Sequence, residues 1–256
     1  MPEPEYVIRM RNVTKLFPVG TSRHSLFRAV MANVSRKWAP ERFAALRSID
    51  LEVKRGDRIA VIGNNGSGKS TLLRVAAGLH PPTSGTLEAR GERTLLAGLG
   101  LGMVDELTVE NNIYLYGAMH GISRKALRER LNEILEWAEL VEFRQAALKS
   151  LSTGMRSRLA FSVTRCIATD IYLLDEALTA GDQTFRDKCD LVFEDYARRG
   201  STMLIATHDF AFAQRHCSQA LWLDRGEQVS YGPTAQVLEL YRERREERRC
   251  AVQAIR

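Results

Sequence analysis

The run from Gly63 through Asn64, Asn65, Gly66, Ser67, Gly68, Lys69 and Ser70 to Thr71 constrains this chain more than any other segment. It matches the glycine-rich pattern G-x-x-x-x-G-K-[ST], which wraps phosphate groups. Its flanks supply the setting that the pattern needs. Residues Asp57 to Ile62 read as a buried strand, and Ser70 to Ala77 read as a helix. Glycines let the backbone curl around phosphates, so that amide N–H groups point inward at the positive end of a helix dipole. Lys69 is then placed to reach the β and γ phosphates, and the Ser70 hydroxyl to ligate Mg²⁺. Taken alone, the same pattern also fits a glycine-rich turn before a helix.

With 256 residues, 45% of them hydrophobic, the chain has apolar material for one large α/β domain or a domain with a lobe. Its 37 basic and 31 acidic residues leave a net charge of +6. That balance suits an anionic partner without separating nucleic acid, membrane surface and acidic ligand. The N-terminus lacks the basic-then-apolar pattern of a signal peptide. The longest apolar run, Leu95 to Val104, is broken by glycines and ended by Asp105. A membrane span needs about 20 apolar residues, so none is expected. Cys166, Cys189, Cys217 and Cys250 are scattered, as expected of reduced thiols rather than a disulfide frame or zinc site.

Strands are expected at 6–14, 48–53, 171–174 and 202–206, with two more around the Asp224–Gly226 turn. Between the first two, Leu26, Phe27, Val30, Met31, Val34 and Trp38 share one helical face, with Arg28, Arg36 and Lys37 elsewhere. This basic amphipathic helix fits a surface helix on its own domain, or one lying near a membrane or partner. Residues 108–149 carry helical patterning, over Val109 to Met119 and over Ser123 to Trp137, with Ser123 as the cap. The tail Arg242 to Arg249 mixes both signs of charge and reads as a solvated helix rather than a nucleic-acid arm. The expected organisation is one α/β domain: a core over about 1–107 and 151–235, a helical lobe over about 108–150, and a charged helix over about 234–250.

Two further segments carry chemistry. The apolar run from Ile171 ends in Asp175 and Glu176. Strands of open α/β sheets deliver their C-terminal ends to the ligand crevice. Asp175 can hold Mg²⁺ there, while Glu176 polarises an attacking water. Ser152, Thr153 and Gly154 open a helix. Ser152 serves as its N-cap, and its hydroxyl, the Gly154 N–H and the helix N-terminus together can grip a γ-phosphate.

Phosphate loop, the L-S-x-G signature at Leu151 to Gly154, the Asp175–Glu176 pair, an acidic loop at Ala180 to Asp182 and a lone His208 follow in order. This order resembles the ATP-binding subunit of an ABC transporter over nearly the whole chain. The resemblance implies a P-loop, ABC-type nucleotide-binding domain with an inserted helical lobe, using ATP and Mg²⁺. Two copies would face each other head to tail, so that Ser152, Gly154 and Asp182 act in trans. His208 would be the switch histidine at the γ-phosphate. Phe17 resembles the aromatic residue that stacks on adenine, and as a bare residue it also fits an ordinary core position.

Several details resemble the branch that exports lipid-linked polysaccharide (capsule, O-antigen, teichoic acid). Ser152 to Met155 and Arg158 to Phe161 match its signature, and Glu176 to Asp182 with Phe185, Lys188 and Cys189 match its acidic-loop region. Gly98 to Met103, Glu106 to Thr108, Glu110 to Ile113 and the long early insert also fit. The branch implies two polytopic membrane permease subunits, a lipid-linked glycan cargo, no nucleic acid, and a peripheral position on the cytoplasmic face of the inner membrane. Export of another lipid or a drug, or a soluble ABC ATPase, are the alternative readings. One departure stands out. Apart from Gln145 there is no glutamine between Gly63 and Lys149, and Val104 or Asp105 occupies roughly the place where the family has its metal-binding glutamine. No C-terminal carbohydrate-binding domain is expected.

Overall fold

A computed structural model describes residues 6–19, 41–98, 100–175 and 183–253. Glu176, Asp182, the Ala180–Asp182 loop and the amphipathic stretch Leu26–Trp38 lie outside the described residues. Strands β3 (Arg58–Ile62), β6 (Ile171–Asp175) and β7 (Thr202–Ala206) form the centre and are buried along nearly their whole length. Strands covered on both faces read as continuous apolar runs, as these do. Successive side chains divide between the two faces. Ile59, Val61, Ile171, Leu173 and Leu204 join one apolar cluster, whereas Ala60, Ile62, Tyr172, Leu174, Met203 and Ile205 join the other.

The sheet runs β4-β1-β2-β9-β8-β3-β7-β6-β5. Strands β8 (Gln219–Asp224), β3, β7, β6 and β5 (Arg93–Ala97) are parallel. β9 (Glu227–Pro233) returns antiparallel to β8 through a two-residue turn in which Arg225 and Gly226 both have positive φ. Such a turn matches the twist of the strands it joins. β1 (Tyr6–Pro18), β2 (Arg42–Lys54) and β4 (Ser84–Ala89) form an antiparallel wing. β1 and β2 run past the expected 6–14 and 48–53, because Lys15 to Pro18 pair with Arg42 to Leu46 through their backbones. Hydrophobic alternation does not register such pairing.

Helix α1 (Lys69–Ala76) covers one sheet face with Leu72, Leu73 and Val75. Helices α5 (Gln183–Arg198), α6 (Phe210–His216) and α7 (Thr234–Gln253) cover the other, burying Phe193, Phe212, Val237, Leu238 and Tyr241. The first turns of α7 therefore belong to the core, and Arg242 to Glu247 are exposed, as the solvated reading of the tail expects. The lobe gathers α2 (Val109–Met119), α3 (Arg124–Ala138) and α4 (Thr153–Thr164) around Ile113, Tyr116, Leu131, Ile134 and Leu159. Thr108 and Ser123 cap α2 and α3, accepting from the Asn111 and Ala126 amides. Because α4 packs into the lobe, the signature at its N-terminus is carried by the lobe.

Candidate functional site

Close packing dictates the start of the phosphate loop. At Gly63 (φ +148°) an added Cβ would lie 2.2 Å from the Leu223 carbonyl oxygen, and at Gly68 (φ +109°) 2.6 Å from that of Ala45. Both approaches are to backbone and cannot relax. Gly66 differs: its φ is +75°, yet nothing lies within 4 Å of an added Cβ. The loop therefore arches over open space, with Asn64, Asn65 and Gly66 exposed. Its underside is pinned by Gly226, whose N–H donates to the Ser67 carbonyl at 2.9 Å. Sequence reading located the Asp224–Gly226 turn without its role, since the signal for it is only a hairpin turn.

Helix α1 starts at Gly68 with no side-chain cap and no acid in its first turn. Its leading amides are left for an anion at the positive end of the dipole. The buried Ser67 hydroxyl has no hydrogen-bond partner among the described residues, an orphaned polar atom inside the cradle. Lys69, buried at 5% exposure, places Nζ 3.0 Å from the Gly63 carbonyl, 3.2 Å from that of Asn64 and 3.3 Å from His208 Nε2. An ammonium only donates, so His208 Nε2 accepts. The three contacts hold the ammonium beneath the loop.

His208 is exposed just after β7 and sits between two fixed points. The Thr207 N–H donates to the Val61 carbonyl at 3.2 Å, while Asp209 caps α6 by accepting from the Phe212 amide at 2.9 Å. The Ser70 hydroxyl donates to Asp175 Oδ1 at 2.9 Å, bringing the end of β6 onto α1. A hydroxyl beside one carboxylate suits a hard cation that takes its other ligands from substrate phosphates and water. Thr71 continues the first turn of α1, half buried.

Ser152 is exposed, and its hydroxyl accepts from the Met155 amide at 3.2 Å. At Gly154 an added Cβ would meet only Ser152 Oγ, at 4.0 Å. This end of α4 is anchored from an unexpected direction. Asp105 pairs with Arg156 at 2.6 Å, and its carbonyl accepts from the Lys149 amide at 3.0 Å. The residue near the place of the missing glutamine thus grips the signature helix. The buried Asn112 folds the segment between them, accepting from the Val104 amide at 2.7 Å and donating to the Val104, Leu107 and Thr108 carbonyls. Gln145 donates instead to Glu110, alongside Arg144, which holds the Glu110 carboxyl below the usual carboxylate range. Phe17 contacts His80 edge-on at 5.5 Å and Lys15 at 5.2 Å, with no phosphate-loop residue among its described contacts.

A buried strand, an arching glycine loop, an uncapped helix and a hydroxyl–carboxylate pair at the next strand end define a P-loop nucleotide-binding domain, here with an inserted helical lobe. Residues 46–179 match the ABC transporter family, and the chain belongs to it. It is 35% identical over 249 residues to the O-antigen export system ATP-binding protein RfbB of Myxococcus xanthus, covering 95% of this chain and 57% of that protein. Against the teichoic acids export ATP-binding protein TagH of Lactiplantibacillus plantarum the identity is 33%, covering 94% of this chain and 65% of the relative. With RfbB of Klebsiella pneumoniae it is 32%, covering 93% and 98%. The chain thus spans less than two thirds of the first two relatives and nearly all of the third. Among solved structures, a dimeric ATP-binding cassette in a post-hydrolysis state bound to ADP and Pi superposes with a TM-score of 0.70 at 23% identity, covering 89% and 98% of the two chains. An ATP-binding subunit of an ABC transporter gives 0.69 at 20% identity, covering 92% and 93%. These establish the shared fold.

Proposed function

We propose that this chain is the ATP-hydrolysing subunit of an exporter that moves lipid-linked cell-surface polysaccharide across the cytoplasmic membrane. The observation that carries the ATPase reading is the convergence of Lys69, Ser70, Asp175 and His208 under an open phosphate loop. Similarity to the O-antigen and teichoic acid export proteins carries the cargo. Gly63 to Thr71 would bind the triphosphate through backbone amides, with the Ser67 hydroxyl turned to it. Ser70 and Asp175 would hold Mg²⁺, which when bound neutralises charge on the phosphate oxygens. Glu176, next in the chain, would orient and deprotonate the attacking water. His208 would contact the γ-phosphate, and Phe17 would stack on the adenine.

An exposed Ser152 and an open Gly154 support completion of the site by a second copy of the chain, with Asp182 at the contact. Leu101, Val104, Leu107 and Met119 expose apolar surface around the lobe's entry loop, Leu101 to 71%. Clustered exposed apolar residues mark contact sites, and we assign this surface to two membrane permease subunits. No helix among the described residues is long and apolar enough to cross a membrane.

The test uses Glu176→Gln. Turnover should fall about 10²- to 10⁴-fold while ATP binding persists, and the protein isolated from native membranes should bring one polytopic subunit and a lipid-linked glycan. Near-wild-type turnover would sink the catalytic assignment. Recovery of ribosomes or DNA with no membrane protein would sink the exporter.

A further inference from the structure

The C-terminal helix α7 reaches the phosphate loop. Tyr241 is buried at 5% exposure, with its ring edge-on to Trp222 of β8 and to Phe210 of α6, both at 5.2 Å between centroids. Its hydroxyl donates to Asn64 Oδ1 at 3.0 Å. Asn64 is the second residue of the phosphate loop, and its carbonyl accepts from Lys69 Nζ. Lys69 in turn meets His208, two residues before Phe210. The contacts close a circuit: Tyr241, Asn64, Lys69, His208, Phe210 and back to Tyr241.

We propose that Tyr241 is a positioning residue for the phosphate loop, and that α7 braces the nucleotide site through its hydroxyl. The ring alone would satisfy the aromatic cluster, so phenylalanine would serve for packing. A buried phenol, however, needs a polar partner. Here the partner is a side chain on the exposed, glycine-rich arch, not a carbonyl of the surrounding strands. The hydroxyl therefore restrains the part of the loop with the least packing. Fixing Asn64 also fixes the carbonyl that holds the Lys69 ammonium. The Ser67 amide, which donates to the same Asn64 carbonyl at 3.1 Å, closes the turn. Arg244 and Arg245 follow within a turn of Tyr241 and share a small cavity with Asn64, so the basic part of α7 continues past the loop.

This inference rests on the ATP-binding reading, and two measurements keep them distinguishable. In nucleotide-free protein, Tyr241→Phe should speed hydrogen exchange at the Ser67 amide about tenfold and leave core amides unchanged. With ATP and Mg²⁺, the same variant should raise Kd and KM about 5- to 10-fold, as expected for one lost hydrogen bond, and change kcat by less than about twofold. Asn64→Ala should weaken binding by a similar factor, and the double variant should be no worse than either single one. Unchanged Ser67 exchange in Tyr241→Phe, or losses that multiply in full in the double variant, would overturn the brace. If wild type and Lys69→Ala bind ATP equally poorly while Ser67 exchange still responds to Tyr241→Phe, the ATP reading fails and the brace stands.

Discussion

Glycines of one loop carry different burdens, and Gly63 and Gly66 separate them. Gly63 is confined by the Leu223 carbonyl and by Ser67 Oγ at 2.6 Å. Gly63→Ala forces backbone apart and should cost about 3 kcal/mol or more of stability in urea denaturation. Gly66 has the left-handed φ but open space, so Gly66→Ala should cost only about 1–2 kcal/mol. The left-handed turn it strains is part of the arch that wraps phosphate, so its main effect should be a loss of ATP affinity in titration calorimetry. Equal destabilisation by the two changes would show that the arch is packed rather than open. The motif reserves Gly63 for glycine and leaves the place of Gly66 open, and only the neighbouring β8 carbonyl shows why the first cannot yield. Burial also favours the protonated form of two thiols: Cys189 and Cys217 are both pushed up to about 12.

At the scale of elements, the lobe helices are the best-written part of the chain. Thr108 and Ser123 stand at the starts of α2 and α3 as oxygen-bearing caps before helical runs, so their boundaries are legible. The turn after α2 adds a pH response. His120 is half buried against Tyr116, with ring centroids 4.7 Å apart, and burial lowers its pKa below the ordinary imidazole value. In the unfolded chain the imidazole takes a proton near about pH 6.5, before the folded one does. Proton uptake then favours the unfolded state, so this contribution is present above that pH and lost as pH falls through it. Stability measured by urea denaturation should decline below about pH 6.5, and His120→Gln should flatten that part of the curve. An unchanged slope would assign the decline to other groups. The loop between β5 and α2 is legible in the sequence only through the family pattern, which Gly98 to Met103 and Glu106 to Thr108 fit and from which the missing glutamine departs. Asp105 and Arg156 are paired at exposures of 52% and 34%, so the pair adds little stability, and what it sets is the position of the signature helix.

For the whole molecule, the proposed completion of the site by a second copy sets the test. Lys69, Ser70, Asp175 and His208 meet within one chain, whereas Ser152 stands exposed and Gly154 half-buried at the N-terminus of α4. Composite sites between two copies make a specific demand. Lys69→Ala and Gly154→Asp should each lose ATPase activity, and mixing the two proteins should restore part of it, because a mixed pair contains one site with both halves intact. No recovery in a mixture that demonstrably forms mixed pairs would place the site within a single chain. The central strands, the caps, the phosphate loop and the order of motifs can all be read from the residues alone. Each of these is written in residues close together in the chain, as periodicity, capping chemistry or a fixed spacing. Tertiary structure alone decided the contacts between distant segments. Ser70 and Asp175 are 105 residues apart, and Asn64 and Tyr241 are 177 apart. No local pattern encodes such pairs, since they arise only when the sheet order brings strand ends and helix faces together. That is why Tyr241 reads in the sequence as one more aromatic before a charged tail, and in the fold as a contact of the phosphate loop.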